Sequence, residues 1–473
     1  MRKYLMILLS AVALVFSGRA SAQSADYDVE LKSVTLPSCV EKGKPFQMMV
    51  SVMNRGRMYA SSVDVEFSVQ GEDPVTYTGS ISPALGVAAV GTAIIDGVVC
   101  NKTGVDLPVT VKVTKVSGNE DQNPGNNSSK HTFTCLETTY PQTVVIEEWT
   151  GTWCKWCVRG IVSMEYMREK YSDQDFIGIA VHDRDDMTVS SFSGFISKYA
   201  NAYPGSIINR KIKESSTEKS AWESNYEIVR MSRALAEVKV KAWYDEENPD
   251  IITAVSTTTF GLDKTNARYR LSFVIVEDQV GPYAQSNAYA WGSTEMGGWE
   301  KQGSTVMWLY NDVARETDSW NGKKNSVPAT IEKLTPYYYV SELSTANISD
   351  ISNCSVVALL LDTENGAIVN ACKTDVILGQ AEYPEDPGNN PSQDAGIGSD
   401  VIDSSAECAA VVRAGHGMIS LDGDVDAFTV YAVDGRIMAS GFAPREVSLP
   451  SGMYVVEVTD SARHGLKRKI LVL

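Results

Sequence analysis

The chain has 473 residues, with 42 Lys and Arg against 59 Asp and Glu and a formal net charge of −17. That length implies three or four domains. The acidic balance argues against nucleic acid or an anionic lipid surface as partner, because both require a basic face.

Met1-Arg2-Lys3 is followed by an apolar run over residues 4–16 and by Ala20-Ser21-Ala22, the pattern of a secretory signal peptide spanning 1–22. The run is too short for a transmembrane helix, and no later stretch reaches the roughly 20 apolar residues a span requires, so no membrane span is expected. Position 23 is Gln rather than the Cys of a lipoprotein anchor. The mature chain is expected to be exported, with its cysteines in an oxidising compartment. Residues 23–136 alternate short apolar segments (27–36, 45–54, 62–69, 88–99, 107–113, 131–135) with turn signals such as Asn123-Pro-Gly-Asn126. Seven or so strands at this spacing predict an antiparallel immunoglobulin-like β-sandwich, similar in pattern to bacterial adhesion-related sandwich modules. Cys39, Cys100 and Cys135 are three in number, so at least one stays free or pairs outside this module.

Residues 137–235 switch to alternating strands (144–149, 175–181, 204–209) and helices (158–171, 192–202, 220–235), the signature of an α/β domain. At the first strand-to-helix junction lies Thr150-Gly-Thr-Trp-Cys-Lys-Trp-Cys157. A thiol at a helix N-terminus feels unsatisfied N–H groups and the positive end of the helix dipole, which favour its thiolate. Cys154 is thus expected to attack a disulfide and Cys157, one turn on, to resolve the mixed disulfide. A zinc site is disfavoured, since no second Cys-x-x-Cys or His-x-x-x-His follows; a permanently closed structural disulfide remains the rival reading. The Lys155 cation favours a thiolate while bulky Trp153 and Trp156 oppose it by reducing hydration, so the sign of the effect on redox potential stays open. His182 and Asp183 end the second strand near this edge, where a structural role outweighs substrate contact.

Strand, Cys-x-x-Cys and helix resemble the thioredoxin fold. That resemblance implies a buried acid beneath the disulfide at Glu148, moving a proton to or from the buried thiol, and a cis-proline beside it at Pro204; an exposed strand carboxylate, with Glu147 facing the opposite way, and an ordinary loop proline are the plain alternatives. Glu147-Glu-Trp-Thr-Gly-Thr-Trp-Cys-Lys-Trp-Cys-Val-Arg-Gly160 together with Tyr203-Pro-Gly-Ser-Ile-Ile-Asn-Arg210 resembles, more specifically, the thioredoxin-like family related to outer membrane protein 28. The resemblance extends over about 140–377 and implies a thioredoxin-like module followed by a β-domain; it supports fold more than activity. Lys155-Trp156 stands where ordinary thioredoxin has Gly-Pro. Trp153, Trp156 and Tyr203 are the expected substrate contacts.

Residues 236–380 read as a β-rich domain, with strands at 236–244, 251–259, 269–277 and 337–340 and a hairpin at 355–376. Between them, 283–320 reads as a long loop-rich stretch whose aromatic residues, Tyr283, Tyr289, Trp291, Trp299, Trp308, Tyr310 and Trp320, either fill a core or bind a peptide or glycan. A two-residue turn at Asn365-Gly366 puts Cys372 opposite Leu359, which separates it from Cys354 by about five residues, or about 16 Å, and excludes direct pairing in that register. Residues 381–407, rich in Pro, Gly, Asn, Ser and Asp, read as a linker.

Residues 408–473 read as a small C-terminal β-sandwich. Val430-Tyr-Ala-Val-Asp-Gly-Arg436, Leu449-Pro-Ser-Gly-Met-Tyr-Val-Val-Glu-Val458 and Lys467-Arg-Lys-Ile-Leu-Val-Leu473 resemble, in order, the type A C-terminal sorting domain of type IX secretion. That resemblance implies recognition by the type IX machinery, passage across the outer membrane, removal of the tail, and attachment at the surface or release. Asp422, Asp424 and Asp426 lack a complete calcium ligand set and read as a polar turn. The expectation is a multidomain, exported cell-surface thiol-disulfide oxidoreductase acting on protein or peptide thiols and disulfides, with no cofactor and no metal. The alternative is a non-catalytic binding or adhesion protein with a structural disulfide. Reaction direction, electron source and the pairing of Cys39, Cys100, Cys135, Cys354, Cys372 and Cys408 are open at this level.

Overall fold

The computed structural model describes residues 25–246, 248–379 and most of 410–472. The expected signal peptide (1–22) and linker (381–407), with Cys408 and Asp424, lie outside the described residues. The architecture is mostly β, in several sheets. No helix among the described residues is long and apolar enough to cross a membrane. The chain divides into two compact units, one of Met1–Thr35, Gln47–Val98 and Pro108–Thr132, the other of Leu36–Phe46, Val99–Leu107 and Phe133–Leu473.

The N-terminal strands are β1 (Val29–Thr35), β2 (Cys39–Glu41), β3 (Pro45–Asn54), β4 (Ala60–Val69), β5 (Val75–Leu85), β6 (Val90–Val99), β7 (Gly104–Val116), β8 (Asn119–Glu120) and β9 (Ser128–Leu136). In the first unit β3 lies between β1 and β6, and β4 lies between β5 and β7 with antiparallel pairing. Every second residue of β3 from Met48 to Asn54, and of β4 from Val63 to Val69, is buried. That two-residue period gives each sheet one apolar face. The faces meet: a Cβ added at Gly79 of β5 would come within 2.3 Å of Ile95 Cδ1 of β6. The result is an antiparallel sandwich, as the strand spacing predicts. The sequence reading lacks β2, β5 and β8, because β5 is largely polar and exposed and the other two are only two or three residues long.

The second unit contains β10 (Val144–Thr150), α1 (Val158–Lys170), β11 (Phe176–His182), α2 (Ser193–Tyr199), β12 (Gly205–Ile208), β13 (Ile212–Glu214) and α3 (Lys219–Arg230). β10 runs parallel to β11 and antiparallel to β12, which pairs in turn with β13. Every residue of β10 and β11 is buried, the mark of strands covered on both faces. Val144, Ile146 and Phe176 pack beneath α1 and α3 with Met164, Met167, Trp222 and Tyr226. Val145, Trp149, Ile177, Ile179 and Val181 pack on the other side with Phe192 and Phe195. Glu147 and Glu148 do face opposite ways, yet neither is exposed: 0% and 2% of their surfaces remain accessible.

The chain continues as β14 (Ala236–Asp245), β15 (Asn248–Phe260), β16 (Tyr269–Glu277), β17 (Val280–Ser286), β18 (Thr305–Tyr310), β19 (Val313–Thr317), β20 (Pro336–Ser344), β21 (Cys354–Asp362) and β22 (Ile368–Leu378). All of these strands but β17 and β18 extend the sheet of β10 and β11 rather than founding a new one. Its order is β13-β12-β10-β11-β19-β16-β21-β22-β14-β15-β20, so it crosses the expected division at 235/236 without a break. The link is β19, parallel to β11 with Ala180 opposite Val313 and antiparallel to β16. The stretch 283–320 is loop-rich as expected, but it also supplies β19, β18 and the end of β17, and β17 and β18 pair as a two-stranded ribbon. Of its aromatic residues, Tyr289, Trp299 and Tyr310 are buried, while Trp291 is 76% exposed.

The β21–β22 hairpin also differs by one residue from the expected register. Cys372 lies opposite Ala358, not Leu359, because the connection is longer than two residues, with the N–H of Asp362 donating to Ala367 O, and the ladder shifts between Leu360 and Leu361. Cys354 and Cys372 are not joined to each other.

The C-terminal strands are β23 (Ala410–Gly415), β24 (Met418–Gly423), β25 (Ala427–Ala432), β26 (Ile437–Phe442), β27 (Arg445–Ser448), β28 (Gly452–Thr459) and β29 (Gly465–Val472). They form sheets of order β23-β24-β27 and β26-β25-β28-β29 around a core that includes Ile419, Leu421, Phe428, Val430, Val456 and Val458.

Candidate functional site

Cys154 and Cys157 form a disulfide with their Cα atoms 5.3 Å apart. The turn holding them is tight: the N–H of Cys154 donates to Gly151 O and that of Cys157 to Cys154 O, each at 3.0 Å. Cys157 is the N-cap of α1, so the sulfurs sit at the positive end of the helix. Cys157 is fully buried and Cys154 is 5% exposed.

The even-numbered residues of β10 face α1, and this parity places Glu148 beneath the helix. Its carboxylate lies against the backbone of Gly160, where an added Cβ would stand 1.7 Å from Glu148 Oε1. Only a glycine leaves that room. Burial holds the Glu148 carboxyl well above the ordinary value, and its Oε1 accepts no hydrogen bond among the described residues. A cavity of about 30 Å³ adjoins it, lined also by Thr150, Ala180, His182, Tyr310 and Asp312 and roofed by Ile161, Met164, Glu165 and Arg168 of α1. Burial likewise pushes Asp312 up to about 6, against the pull of Arg168 and Lys373.

Glu147, on the opposite face, is neutralised by a buried Arg210, whose Nε donates to Oε2 at 2.7 Å and Nη2 to Oε1 at 2.5 Å. The side chain of Asn209 accepts from Val145 N and donates to Thr143 O, tying β12 to the start of β10. The Asn-Arg pair of the sequence motif thus has a structural role.

The Tyr203–Pro204 bond is cis. Since Trp149 pairs with Gly205, Pro204 enters the sheet where β10 ends and the cysteine turn begins. Tyr203 donates its hydroxyl to Asp183 Oδ2 at 2.7 Å and meets Trp153 edge-on at 5.2 Å, while Arg184 lies 4.2 Å from the Trp153 ring centroid. Of the three expected substrate contacts, Trp153 and Trp156 are 41% and 47% exposed and Tyr203 is half-buried against Trp153. Trp156 itself packs edge-on against Tyr289 at 5.7 Å.

His182 pairs not with its neighbour Asp183 but with Asp185, Nδ1 to Oδ2 at 2.7 Å. Burial raises the Asp185 carboxyl, but the hydrogen bonds from His182 and from the N–H groups of Thr152 and Met187 outweigh it and bring it below the ordinary value. Asp185 therefore anchors the cysteine turn through Thr152 N, at 2.9 Å. The sequence reading lacked this residue, and likewise Gln285. Gln285 Nε2 donates to Cys154 O at 3.0 Å while its Oε1 accepts from Tyr310 OH at 2.9 Å, and the N–H groups of Ser286 and Ala288 donate to Thr152 O and Lys155 O. The ribbon β17–β18 thus clamps the turn from a segment more than a hundred residues downstream, with no motif to announce it.

The chain matches no protein-family model and no curated relative. Solved structures similar to it include HBP35 of Porphyromonas gingivalis (16% identity, TM-score 0.39, covering 71% of this chain and 99% of that one). A domain of the outer membrane lipoprotein Omp28 from the same organism is 13% identical, with a TM-score of 0.18, covering 31% and 92%. The CARDB domain of the PF1109 protein of Pyrococcus furiosus is 17% identical, with a TM-score of 0.18, covering 23% and 94%.

Proposed function

We propose that this chain is an exported, surface-located thioredoxin-like protein whose Cys154–Cys157 pair exchanges disulfides with protein or peptide thiols. The observation that carries this reading is a two-cysteine bond at the N-terminus of α1, above a buried carboxyl group, with a cis-proline entering the sheet at the same edge. In the reducing direction the Cys154 thiolate attacks a substrate disulfide, forming a mixed disulfide and releasing one substrate thiolate. Cys157 then attacks Cys154 Sγ, which closes the pair and frees the second substrate thiolate. Glu148, whose carboxyl burial holds well above its ordinary value, exchanges a proton with Cys157, and Pro204 with Trp153, Trp156 and Tyr203 orients the substrate chain. Export by the signal peptide and delivery by a type IX sorting tail at 408–473 belong to the same proposal.

Insulin reduction by dithiothreitol tests it: wild-type catalysis above that of Cys154→Ser supports exchange, and equal rates overturn it. A second reading, a surface protein with a structural disulfide, is favoured by the clamp of Gln285, Ser286 and Ala288 on the cysteine turn and by the 5% exposure of Cys154. A reduction potential below about −300 mV, with no thiol accessible after mild reduction, selects that reading.

A further inference from the structure

Three buried oxygens around one cavity lack hydrogen-bond partners among the described residues: Glu148 Oε1 and both carboxylate oxygens of Asp312. Buried polar atoms are rarely left so, and when they border a polar cavity, water is the ordinary partner. About 30 Å³ accommodates one or two water molecules. The sheet explains why the two acids meet. Glu148 pairs with Ala180, and Ala180 with Val313, so one row across β10, β11 and β19 brings Glu148 level with the residue that follows Asp312. Asp312 lies on the α1 face, since a Cβ at Gly178 would stand 2.4 Å from Met164 Sδ and 3.2 Å from Asp312 Oδ2.

We propose that water in this cavity joins Glu148 to Asp312, making Asp312 the positioning group through which Glu148 exchanges the proton that accompanies opening and closing of the Cys154–Cys157 bond. The proposal rests on the redox reading of the pair. When an external dithiol reduces the disulfide, its two sulfurs join, the Cys154–Cys157 bond breaks, and two electrons pass to the cysteine sulfurs. The two protons lost by the dithiol equal the two gained by the cysteines. One reaches Cys157 from Glu148, which is refilled through water from Asp312, and Asp312 from solvent; oxidation reverses the path.

The groups that face Asp312 fit a proton station. Arg168 Nη1 at 3.4 Å and Lys373 Nζ at 3.8 Å stabilise its carboxylate, while Asp278, which accepts the Asp312 backbone N–H, and Asp173 oppose it. Glu148, Glu165, His182 with its Asp185, and Tyr310 complete the titratable surroundings. Burial outweighs both cations and brings Asp312 to about 6, so it both binds and releases a proton near neutrality.

The test is the rate at which dithiothreitol reduces the disulfide of the full chain, from about pH 5 to about pH 8, followed by intrinsic tryptophan fluorescence and divided by the dithiothreitol thiolate concentration. In the wild type this rate constant should change slope with pH near the Asp312 titration, and Asp312→Asn should lose that break. A folded Asp312→Asn protein with the wild-type break overturns the proposal. If that variant does not fold by circular dichroism, Ala180→Val decides: it narrows the cavity without changing a charge, and a break it leaves in place is equally fatal. Because the reductant is a small dithiol, its rate reads proton transfer to the pair even if insulin turnover fails, so the two failures are distinguishable.

Discussion

Replacing Gly160 by Ala puts a methyl group where the Glu148 carboxylate lies. The new Cβ would stand 1.7 Å from Oε1, 2.4 Å from Cδ and 2.7 Å from Oε2, the first less than half an ordinary contact of about 4 Å. A glycine-to-alanine change inside a helix gains about 1 kcal/mol from propensity. Overpacking of a close-packed site costs about 1–3 kcal/mol, and this clash is with a buried carboxyl that has little room to retreat. Taking the upper end of that cost, about 2–3 kcal/mol, against the helix gain of about 1, Gly160→Ala is expected to destabilise the second unit by about 1–2 kcal/mol net, with urea denaturation followed by circular dichroism as the assay. Compared within a Glu148→Ala background, the same change should turn neutral or stabilising, because the obstructing atoms are gone and only the helix gain remains. A Gly160→Ala protein as stable as wild type, or a penalty that persists without the Glu148 side chain, would refute the placement of Glu148 beneath α1.

Asp312 has a folded-state value raised from 3.8 to about 6, so its contribution to stability is fully present below about pH 4 and is lost as pH rises through about 6. Urea midpoints should fall across that window at up to about 1.4 kcal/mol per pH unit from this group, and Asp312→Asn should remove that slope. After mild reduction of the native chain, iodoacetamide near neutral pH should label Cys154 and spare Cys39 and Cys354, whose thiols burial pushes up to about 12. Peptide mapping by mass spectrometry reads this directly, and rapid labelling of Cys39 would contradict its burial. Gln285→Ala removes the donor to Cys154 O and the acceptor for Tyr310 OH, at a cost of about 1–3 kcal/mol for the groups left unpaired. Dithiothreitol should then open the disulfide several-fold faster; an unchanged rate would show that the clamp does not control access.

Much of the architecture was legible because it rests on local rules. Two-residue alternation in 45–54 and 62–69 signalled the sandwich, and the strand-to-helix transition at 144–171 placed Cys154 and Cys157 at the start of α1. Glu148 was legible by its offset from the cysteines, and its burial follows from parity once both faces of β10 are covered. Within the loop-rich stretch 283–320, β19 was not legible because it is only five residues long and follows a long loop around Trp291 and Trp299.

By itself, then, the sequence determined the strands of the N-terminal sandwich, the placement of the two-cysteine turn at the start of α1 and the facing of the acid in β10, all set by periodicity and near-neighbour spacing. Tertiary structure alone decided that β19 inserts beside β11 and makes one sheet of two expected domains, that Gln285 clamps Cys154, and that Asp312 shares a cavity with Glu148. The physical reason is that those partners are joined only by strand pairing between distant segments. The free energy of that pairing comes from burial and hydrogen bonds summed across the whole sheet and leaves no short-range pattern in the chain.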